Sequence, residues 1–388
     1  RGLQACMHEV YVDCPYYEQL MYVADTRVQM LINHVVSRDD RLIRRSVELF
    51  DQSRGLSGFP KMHYPASDVQ ESATFGMIWP WMLHDYALWK DDPAWLRERL
   101  PGLRALMEAL DAEADRAGIL SCPPGWLFVD WVPAWPEGWA PGVREGRKSA
   151  LVNLHYLLTL QKAAELESWF GLPEQGRRWR SRATQVAKEM RRLFWSTSRG
   201  LWADDESHES FSQHAQVLAV LAGLRAPALG KWFGETAAPD LHRATLYFQH
   251  YVFEALGKMG RGDLILPALD TWRELVDLDL KTPLENPEIG RSDCHAWGSH
   301  PLYHLRATVA GVYPMEPGFK RVRIVPQPGC LTRINLDLPH PHGMLKMRAK
   351  FTNQRATAEI ELPSLTNGLF VWQGHEWPLN PGLNKIAT

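Results

Sequence analysis

Three acidic residues lie close together in the stretch DCPYYEQLMYVADTR, which begins at Asp13. Pro15 suits the first position of a helix, so the pattern predicts a helix over 15–36. On that helix Glu18 and Asp25 are two turns apart, about 10 Å along the axis, and share one face. One ligand the size of a sugar ring could therefore contact both carboxylates. The alternative is a solvated helix edge whose acids stabilise the helix N-terminus.

A second group of acids and histidines lies in KTPLENPEIGRSDCHAWGSHPLYH, residues 281–304. Prolines on both sides keep the backbone around Glu285 out of a helix, so a rigid loop could aim this carboxylate into a cleft. Glu288, Asp293 and His295 lie in the same segment. Glycoside hydrolysis requires one carboxyl group to protonate the leaving oxygen and a second on the opposite face of the sugar. The two acidic groups therefore predict carboxylate chemistry.

Other kinds of catalytic site have less support in the sequence. His300 and His304 have the i,i+4 spacing that suits zinc on a helix, but no H-E-x-x-H motif accompanies them, and such histidines are more often core or capping residues. There is no G-x-S-x-G motif, and neither Cys14 nor Cys294 lies in a pattern that marks a catalytic thiol. We therefore predict a site with no metal and no other cofactor.

Tryptophan is unusually frequent, with 17 residues in a chain of 388. The segment PPGWLFVDWVPAWPEGWAPG, residues 123–142, holds four tryptophans and five prolines and cannot form a regular helix. Loops run over the surface, so these indoles could be partly exposed and stack against the apolar face of a sugar. A satellite core braced by proline is an equally good interpretation.

Bulk properties exclude several classes of partner. The net charge of −2 gives no electrostatic reason to expect nucleic acid, and no apolar run approaches the roughly 18 residues that span a bilayer. Five cysteines without a C-x-x-C motif indicate buried free thiols rather than a disulfide framework. The chain opens on Arg1 without a signal-peptide pattern, so we expect a piece of a longer or processed protein. The compartment and the oligomeric state are not predicted.

The elements that must position these residues change character along the chain. Apolar residues recur at intervals of three and four through the first 310 positions, and the longer connectors carry the unusual residues, as in stacked antiparallel helical hairpins. After Gly311, short alternating runs broken by proline and glycine predict an antiparallel β-domain. We divide the chain into a helical domain, 1–313, and a β-domain, 314–388. The predicted helices are 15–36, 38–53, 71–90, 93–116, 147–170, 173–195, 209–223, 226–234, 241–258, 261–278 and 295–311.

Four segments together resemble the α-L-rhamnosidases of glycoside hydrolase family 78. They are CMHEVYVDCPYYEQLMYVADTR, ESATFGMIWPWMLHDY, FSQHAQVLAVLAGL and CHAWGSHPLYHLRATVAGVYPMEPGFKRVRIVPQPG, and they occur in the order that the family shows. The resemblance implies a mainly α fold, an (α/α)6 six-hairpin barrel followed by a C-terminal β-sandwich. It also implies an inverting glycosidase that removes terminal α-L-rhamnose from glycosides or polysaccharides without a metal.

The resemblance assigns roles to particular residues. Glu18 matches the general acid of the family, and Glu285, in TPLEN, matches the general base. The residues that it implies for binding the sugar or supporting the pair are Asp13, Asp25, Trp79, Asp130, Trp131 and His295.

The chain also departs from the family pattern near the acid. Many members carry arginine and aspartate where this chain has Tyr16 and Tyr17, and many have G-W-x-G-D where it reads MYVAD. The reaction class is therefore better supported than the substrate. The alternatives are a glycosidase for a different L-sugar and a carbohydrate-binding protein whose acids only hold hydroxyl groups. A polysaccharide lyase is disfavoured because a uronate substrate calls for cationic rather than acidic surroundings.

Overall fold

A computed structural model describes residues 1–286, 291–352 and 354–388. Helices make up the first part of the chain and strands the last. The α-helices of the described residues are α1 (Gly2–Ala5), α2 (Val23–Val36), α3 (Arg41–Gln52), α4 (Ala73–Gly76), α5 (Trp79–Trp89), α6 (Pro93–Glu113), α7 (Ala150–Phe170), α8 (Pro173–Phe194), α9 (Gln213–Leu221), α10 (Gln249–Lys258), α11 (Asp270–Asp277) and α12 (Pro301–His304).

Several helix starts follow from local sequence. Ser212 accepts a hydrogen bond from the backbone N–H of Ala215 and caps α9, and Asp92 caps α6 in the same way through Trp95. Each side chain satisfies a backbone donor that the first helical turn leaves unpaired. Proline occupies the start of α6 and α8, where its missing N–H costs nothing.

Six helices form an inner ring in the described part of the chain. They contact one another in the order α2, α5, α7, α9, α10 and α12, and α12 returns to contact α2. The inner helices α2 and α5 are buried almost all round. By contrast, α3, which packs outside α2 and α5, and α8, which packs outside α7, bury only a stripe. This difference is typical of an inner and an outer layer. The prediction of a helical barrel followed by a β-domain is confirmed.

A buried ion pair network ties three inner helices together. Arg27 on α2 donates to Asp85 on α5 at 2.8 Å and to Glu254 on α10 at 3.3 Å. The guanidinium also lies over the rings of Trp81 and Tyr251, at 5.3 and 5.5 Å from their centroids. Because removal of one partner would leave the others charged and unpaired in the interior, this network should tolerate single substitutions poorly.

Within residues 1–286, 291–352 and 354–388 the strands form three sheets. A short hairpin joins β1 (Trp195–Ser196) and β2 (Leu201–Trp202), and two four-stranded sheets follow, in the orders β10-β7-β6-β5 and β3-β4-β8-β9. Their strands are β3 (Val312–Pro314), β4 (Arg321–Ile324), β5 (Arg333–His340), β6 (Gly343–Phe351), β7 (Ala356–Leu362), β8 (Asn367–Trp372), β9 (His375–Leu379) and β10 (Gly382–Ala387).

The β-domain is mixed rather than wholly antiparallel, because β4 pairs with β8 in the parallel direction. In β6 the buried Leu345 and Met347 alternate with exposed Lys346 and Arg348, the pattern of a sheet with one face in the core. Arg306 links the two parts of the chain, donating to the carbonyls of Val35 at 2.8 Å and Asp337 at 3.0 Å. The division at 313/314 falls inside β3 and remains a proposal.

The largest errors in the predicted helices lie at their starts. Helix α2 begins at Val23 rather than at Pro15, and residues 15–18 form a turn. The predicted helix 226–234 is only a 3₁₀ turn at Leu229–Lys231. No helix among the described residues is both long enough and apolar enough to cross a membrane.

Candidate active site

A cleft of about 290 Å³ opens beside the segments that precede inner helices α2, α5, α7 and α12. This volume is at the small end of ligand sites, roughly 300–1,000 Å³. Carboxylates, one arginine, one histidine and several aromatic rings line it together. The lining residues are Asp13, Glu18, Tyr22, Asp25, Met62, Gln70, Phe75, Trp126, Phe128, Trp131, Glu285, Arg291, His295 and Trp297.

The first acidic segment is a closed loop, not a helix. The backbone N–H of Asp13 donates to the carbonyl of Leu20, and the Asp13 carboxylate accepts from the N–H of Leu20, both at 2.9 Å. This double contact holds Glu18 in the turn between them, with its side chain 24% exposed. The expectation that Glu18 and Asp25 share a helical face was therefore wrong, although both line the cleft.

The imidazole of His295 lies between Asp25 and Glu285. Asp25 lies in the first turn of α2, and its carboxylate is 2.9 Å from Nε2 of His295. Nδ1 of the same ring is 4.0 Å from the Glu285 carboxylate. All three side chains are buried. The start of α2 and the loop before α12 therefore meet at this site, where His295 is within hydrogen-bond distance of Asp25 and lies near Glu285.

Backbone contacts fix the second acidic loop. The N–H of Glu285 donates to the carbonyl of Ser292, and the indole of Trp297 donates to the carbonyl of Glu285, each at 2.9 Å. The loop also touches the first segment, because the N–H of Ala296 donates to the carbonyl of Asp13 at 3.2 Å. Glu288, which the sequence placed beside Glu285, lies outside the described residues, and Asp293 does not line the cleft.

Arg291 lies between the two carboxylates that were predicted to carry the chemistry. Its guanidinium forms an ion pair with Glu18, and its Nε is 3.9 Å from the carboxylate of Glu285. It also lies over the ring of Tyr17, at 5.8 Å from the centroid. The sequence interpretation did not select Arg291. The sequence feature that could have identified Arg291 is its position among acidic residues in a loop that contains prolines.

Burial makes several of these acids hard to ionise. It raises the pKa of Asp13 to about 6, with the nearby Asp25 adding to the effect. Burial also raises the pKa of Asp25 well above its usual range, and the charge of Glu18 acts in the same direction. The pKa of Glu285 is raised by burial and lowered in part by His295 and Arg291. Glu285 is only 4% exposed, so the second acidic loop carries a buried carboxylate.

An aromatic wall forms the other side of the cleft. Trp131 packs edge-on against Phe128, with ring centroids 4.9 Å apart, and Trp126 lies 6.1 Å from Trp131. Both indoles are partly exposed, whereas Trp135 of the same loop is buried. The proline-rich segment therefore combines the two predicted uses, a ligand-facing surface and a packed support.

Two predicted sugar-binding residues are not at the surface of the cleft. Trp79 is fully buried in α5, and its indole donates to the carbonyl of Val47 at 3.0 Å, so it packs between helices. Asp130 is also fully buried, and it accepts from the N–H of Trp131 at 3.0 Å and contacts His214 at 2.7 Å. Asp130 positions Trp131 from below, and a direct contact with a sugar is not available to it.

The histidines at 300 and 304 belong to a separate buried group. Their ring atoms and those of His250 lie within 4.8 Å of one another. Nε2 of His304 is 3.0 Å from Nδ1 of His250, and Nε2 of His300 is 3.1 Å from the carbonyl of Leu246. Burial lowers the pKa of all three, so they remain neutral at ordinary pH. None of them lines the cleft.

A ring of buried helices, a cleft at the N-terminal ends of those helices and paired carboxylates facing an aromatic wall define the class of six-hairpin glycosidase domains. Residues 1–244 match the family model described as the bacterial alpha-L-rhamnosidase 6 hairpin glycosidase domain, and residues 311–372 match the bacterial alpha-L-rhamnosidase C-terminal domain. The chain belongs to the bacterial α-L-rhamnosidase family.

Solved structures of rhamnosidases share this fold. The chain is 22% identical to the family 78 rhamnosidase of Bacillus sp. GL1, with a TM-score of 0.83, over 95% of this chain and 40% of that one. It is 24% identical to a Klebsiella oxytoca rhamnosidase with rhamnose bound, with a TM-score of 0.65, over 79% of this chain and 61% of that one. The Streptomyces avermitilis enzyme, complexed with L-rhamnose, is 16% identical, with a TM-score of 0.78, over 100% of this chain and 40% of that one. No curated protein matches the chain.

Proposed function

We propose that this domain hydrolyses terminal α-L-rhamnosides with inversion at the anomeric carbon. The observation that carries the proposal is the placement of Glu18 and Glu285 at one cleft, each in contact with the guanidinium of Arg291. Trp131 and its neighbours give the same cleft an apolar wall that suits a deoxysugar. A protein that only held hydroxyl groups would not need two carboxylates on this spacing.

Glu18 is the proposed general acid because it lies toward the open side of the cleft, where a leaving group can depart. Its side chain is 24% exposed, against 5% for that of Glu285. Arg291 forms an ion pair with Glu18, so the glycosidic oxygen must take the place of the guanidinium before a proton can be transferred. Proton donation by Glu18 then lowers the barrier to bond cleavage.

Glu285 is the proposed general base, and its task is to take a proton from the attacking water. His295 and Arg291 oppose the effect of burial on the pKa of Glu285 and favour its ionised form. Both carboxylates contact the guanidinium of Arg291. This shared contact supports a separation of the two carboxyl groups that does not exceed the ~6.5–9.5 Å range of inverting glycosidases. Water can attack from the Glu285 side while the leaving group departs from the Glu18 side.

The test compares Glu18→Gln and Glu285→Gln on two substrates, a nitrophenyl α-L-rhamnoside and an unactivated rhamnosyl disaccharide. A general acid contributes roughly 10²–10⁴-fold. Glu18→Gln should therefore lose that much on the disaccharide and much less on the nitrophenyl substrate, whose leaving group departs without a proton. Glu285→Gln should lose activity severely on both, because water must attack in each case.

A matched control is Glu174→Gln on α8, since that glutamate is exposed and far along the chain from the cleft. It should leave both rates unchanged. Equal losses for both site variants on both substrates would contradict the assigned roles. Binding of rhamnose without turnover of either substrate would indicate the carbohydrate-binding alternative, and turnover confined to another L-sugar would indicate the other alternative. NMR of the anomer released first decides whether the reaction inverts.

A further inference from the structure

Two thiols from opposite ends of the helical ring belong to one small apolar cluster beside the first acidic segment. Cys6 is fully buried in a small cluster with Val12 and Ala296, and Cys294 packs against that cluster from the solvent side. The thiol of Cys6 also points to the carbonyl of Asp13, at 3.6 Å from its sulfur. Cys294 directly precedes His295 in the chain.

The two thiols differ in exposure and in acidity. Cys294 is partly exposed, and its interaction with the Cys6 side chain lowers its pKa to about 7. The same contact and burial raise the pKa of Cys6. A thiolate is the attacking form in disulfide exchange, so Cys294 is the accessible nucleophile and Cys6 is the shielded partner.

We propose that Cys6 and Cys294 form a redox-active dithiol that closes to a disulfide in the presence of a small-molecule disulfide oxidant. The packing of both cysteines at one small apolar cluster is the observation that supports the pairing. The pairing is independent of the reaction proposed for the cleft, because it involves neither Glu18 nor Glu285.

The chemistry proceeds in two exchange steps. The Cys294 thiolate attacks one sulfur of glutathione disulfide, a Cys294–glutathione bond forms, and the first glutathione leaves as a thiolate. Cys6 then attacks the Cys294 sulfur, its proton passes to the departing sulfur of the second glutathione, and that glutathione leaves as a thiol. The protein gives up two protons and two electrons, and one glutathione disulfide becomes two glutathione thiols.

Closure of this bond would tie together the two segments that carry the site. One segment holds Asp13 and the other holds His295, and a backbone hydrogen bond, from the N–H of Ala296 to the carbonyl of Asp13 at 3.2 Å, already joins them. A disulfide has a sulfur separation of about 2.05 Å, so oxidation would fix the two segments to each other covalently at this point.

The experiment is a redox titration of the whole chain in glutathione buffers, read by free-thiol count and by mass spectrometry of peptides. A double variant, Cys122→Ser with Cys330→Ser, first removes the two exposed thiols and leaves Cys6, Cys14 and Cys294. Oxidation should then lower the free-thiol count from three to one, with a single cross-linked peptide pair that contains Cys6 and Cys294. The transition should follow a two-electron dependence on the glutathione ratio.

Two further variants control the assignment. In the same background, Cys294→Ser should leave both remaining thiols free at every glutathione ratio, and Cys6→Ala should accumulate the Cys294–glutathione adduct. Three free thiols in the oxidised background protein, or a cross-link from Cys14 to Cys294, would overturn the proposal. These readouts do not depend on hydrolysis, so they remain decisive if the proposed activity is absent.

Discussion

Replacement of Asp13 by asparagine should make the protein more stable at neutral pH and less active. The Asp13 carboxyl is buried beside Asp25, and its folded-state pKa is raised to about 6 from 3.8. Asparagine removes the buried charge and keeps an oxygen that can accept the 2.9 Å hydrogen bond from the N–H of Leu20. The loop that holds Glu18 should therefore remain closed.

The sign and the size follow from proton linkage. Below about pH 3.8 the Asp13 carboxyl is protonated in the folded and the unfolded chain, and it has no effect on the free energy of unfolding. Between pH 3.8 and about 6 only the folded chain holds the proton, so stability falls as the pH rises. Above about pH 6 the folded chain carries the full cost of ionising the buried Asp13 carboxyl. At about 1.4 kcal/mol per pH unit, this cost lowers the free energy of unfolding by ~3 kcal/mol.

The assay is thermal unfolding of wild type and Asp13→Asn at pH 4 and pH 8. For a chain of this length ~3 kcal/mol corresponds to an increase in Tm of about 4 °C, expected at pH 8 and largely absent at pH 4. The control is Asp39→Asn, because the exposed Asp39 has a pKa lowered to about 2 by Arg41. Its contribution has the opposite sign and should be small. An Asp13→Asn protein no more stable than wild type at pH 8 would refute the reasoning.

Two tryptophan substitutions separate the wall of the cleft from the core behind it, and an arginine substitution tests the electrostatics of Glu285. Trp131→Ala should lower kcat/KM for a nitrophenyl rhamnoside about tenfold with the fold intact by circular dichroism, since it removes an exposed aromatic surface. Trp79→Ala should instead reduce the free energy of unfolding by roughly 3–5 kcal/mol in urea titrations and leave KM unchanged. Arg291→Gln removes a cation that lowers the pKa of Glu285, so the acidic limb of the kcat/KM profile should move to higher pH, with Arg291→Lys as its control.

The sequence predicted the types of residue at the site better than their local structure. Pro15 favours a helix start, yet the side chain and backbone of Asp13 bond to Leu20 and close a loop in its place. Local bonds from aspartate to the backbone compete with a helix in this way, and residue spacing alone does not reveal which wins. The prediction that both acidic segments reach one cleft survives, because it depended on the order of the segments and not on helix geometry.

Exposure was the property that the sequence could not supply. Trp79 and Trp131 are the same residue type near acids, but one donates to the carbonyl of Val47 inside the helical layers and the other faces the cleft. Glu285 lies in a loop, as predicted, yet its side chain is buried, and contacts with Ser292 and Trp297 fix its backbone. Burial of this kind depends on contacts between distant segments, which hydrophobic periodicity does not report.

Closure of the helical ring also sets a time order for biosynthesis. Asp25 and the His295 that contacts it are 270 positions apart. At roughly 5–20 residues per second, tens of seconds pass on the ribosome between the appearance of the first acidic segment and that of the second. Such a distant contact forms late, after many local helices have formed, because its loop-closure entropy must be overcome first. In a refolding experiment, the return of the site should therefore lag behind the return of helical circular dichroism and report the docking of α12 on α2.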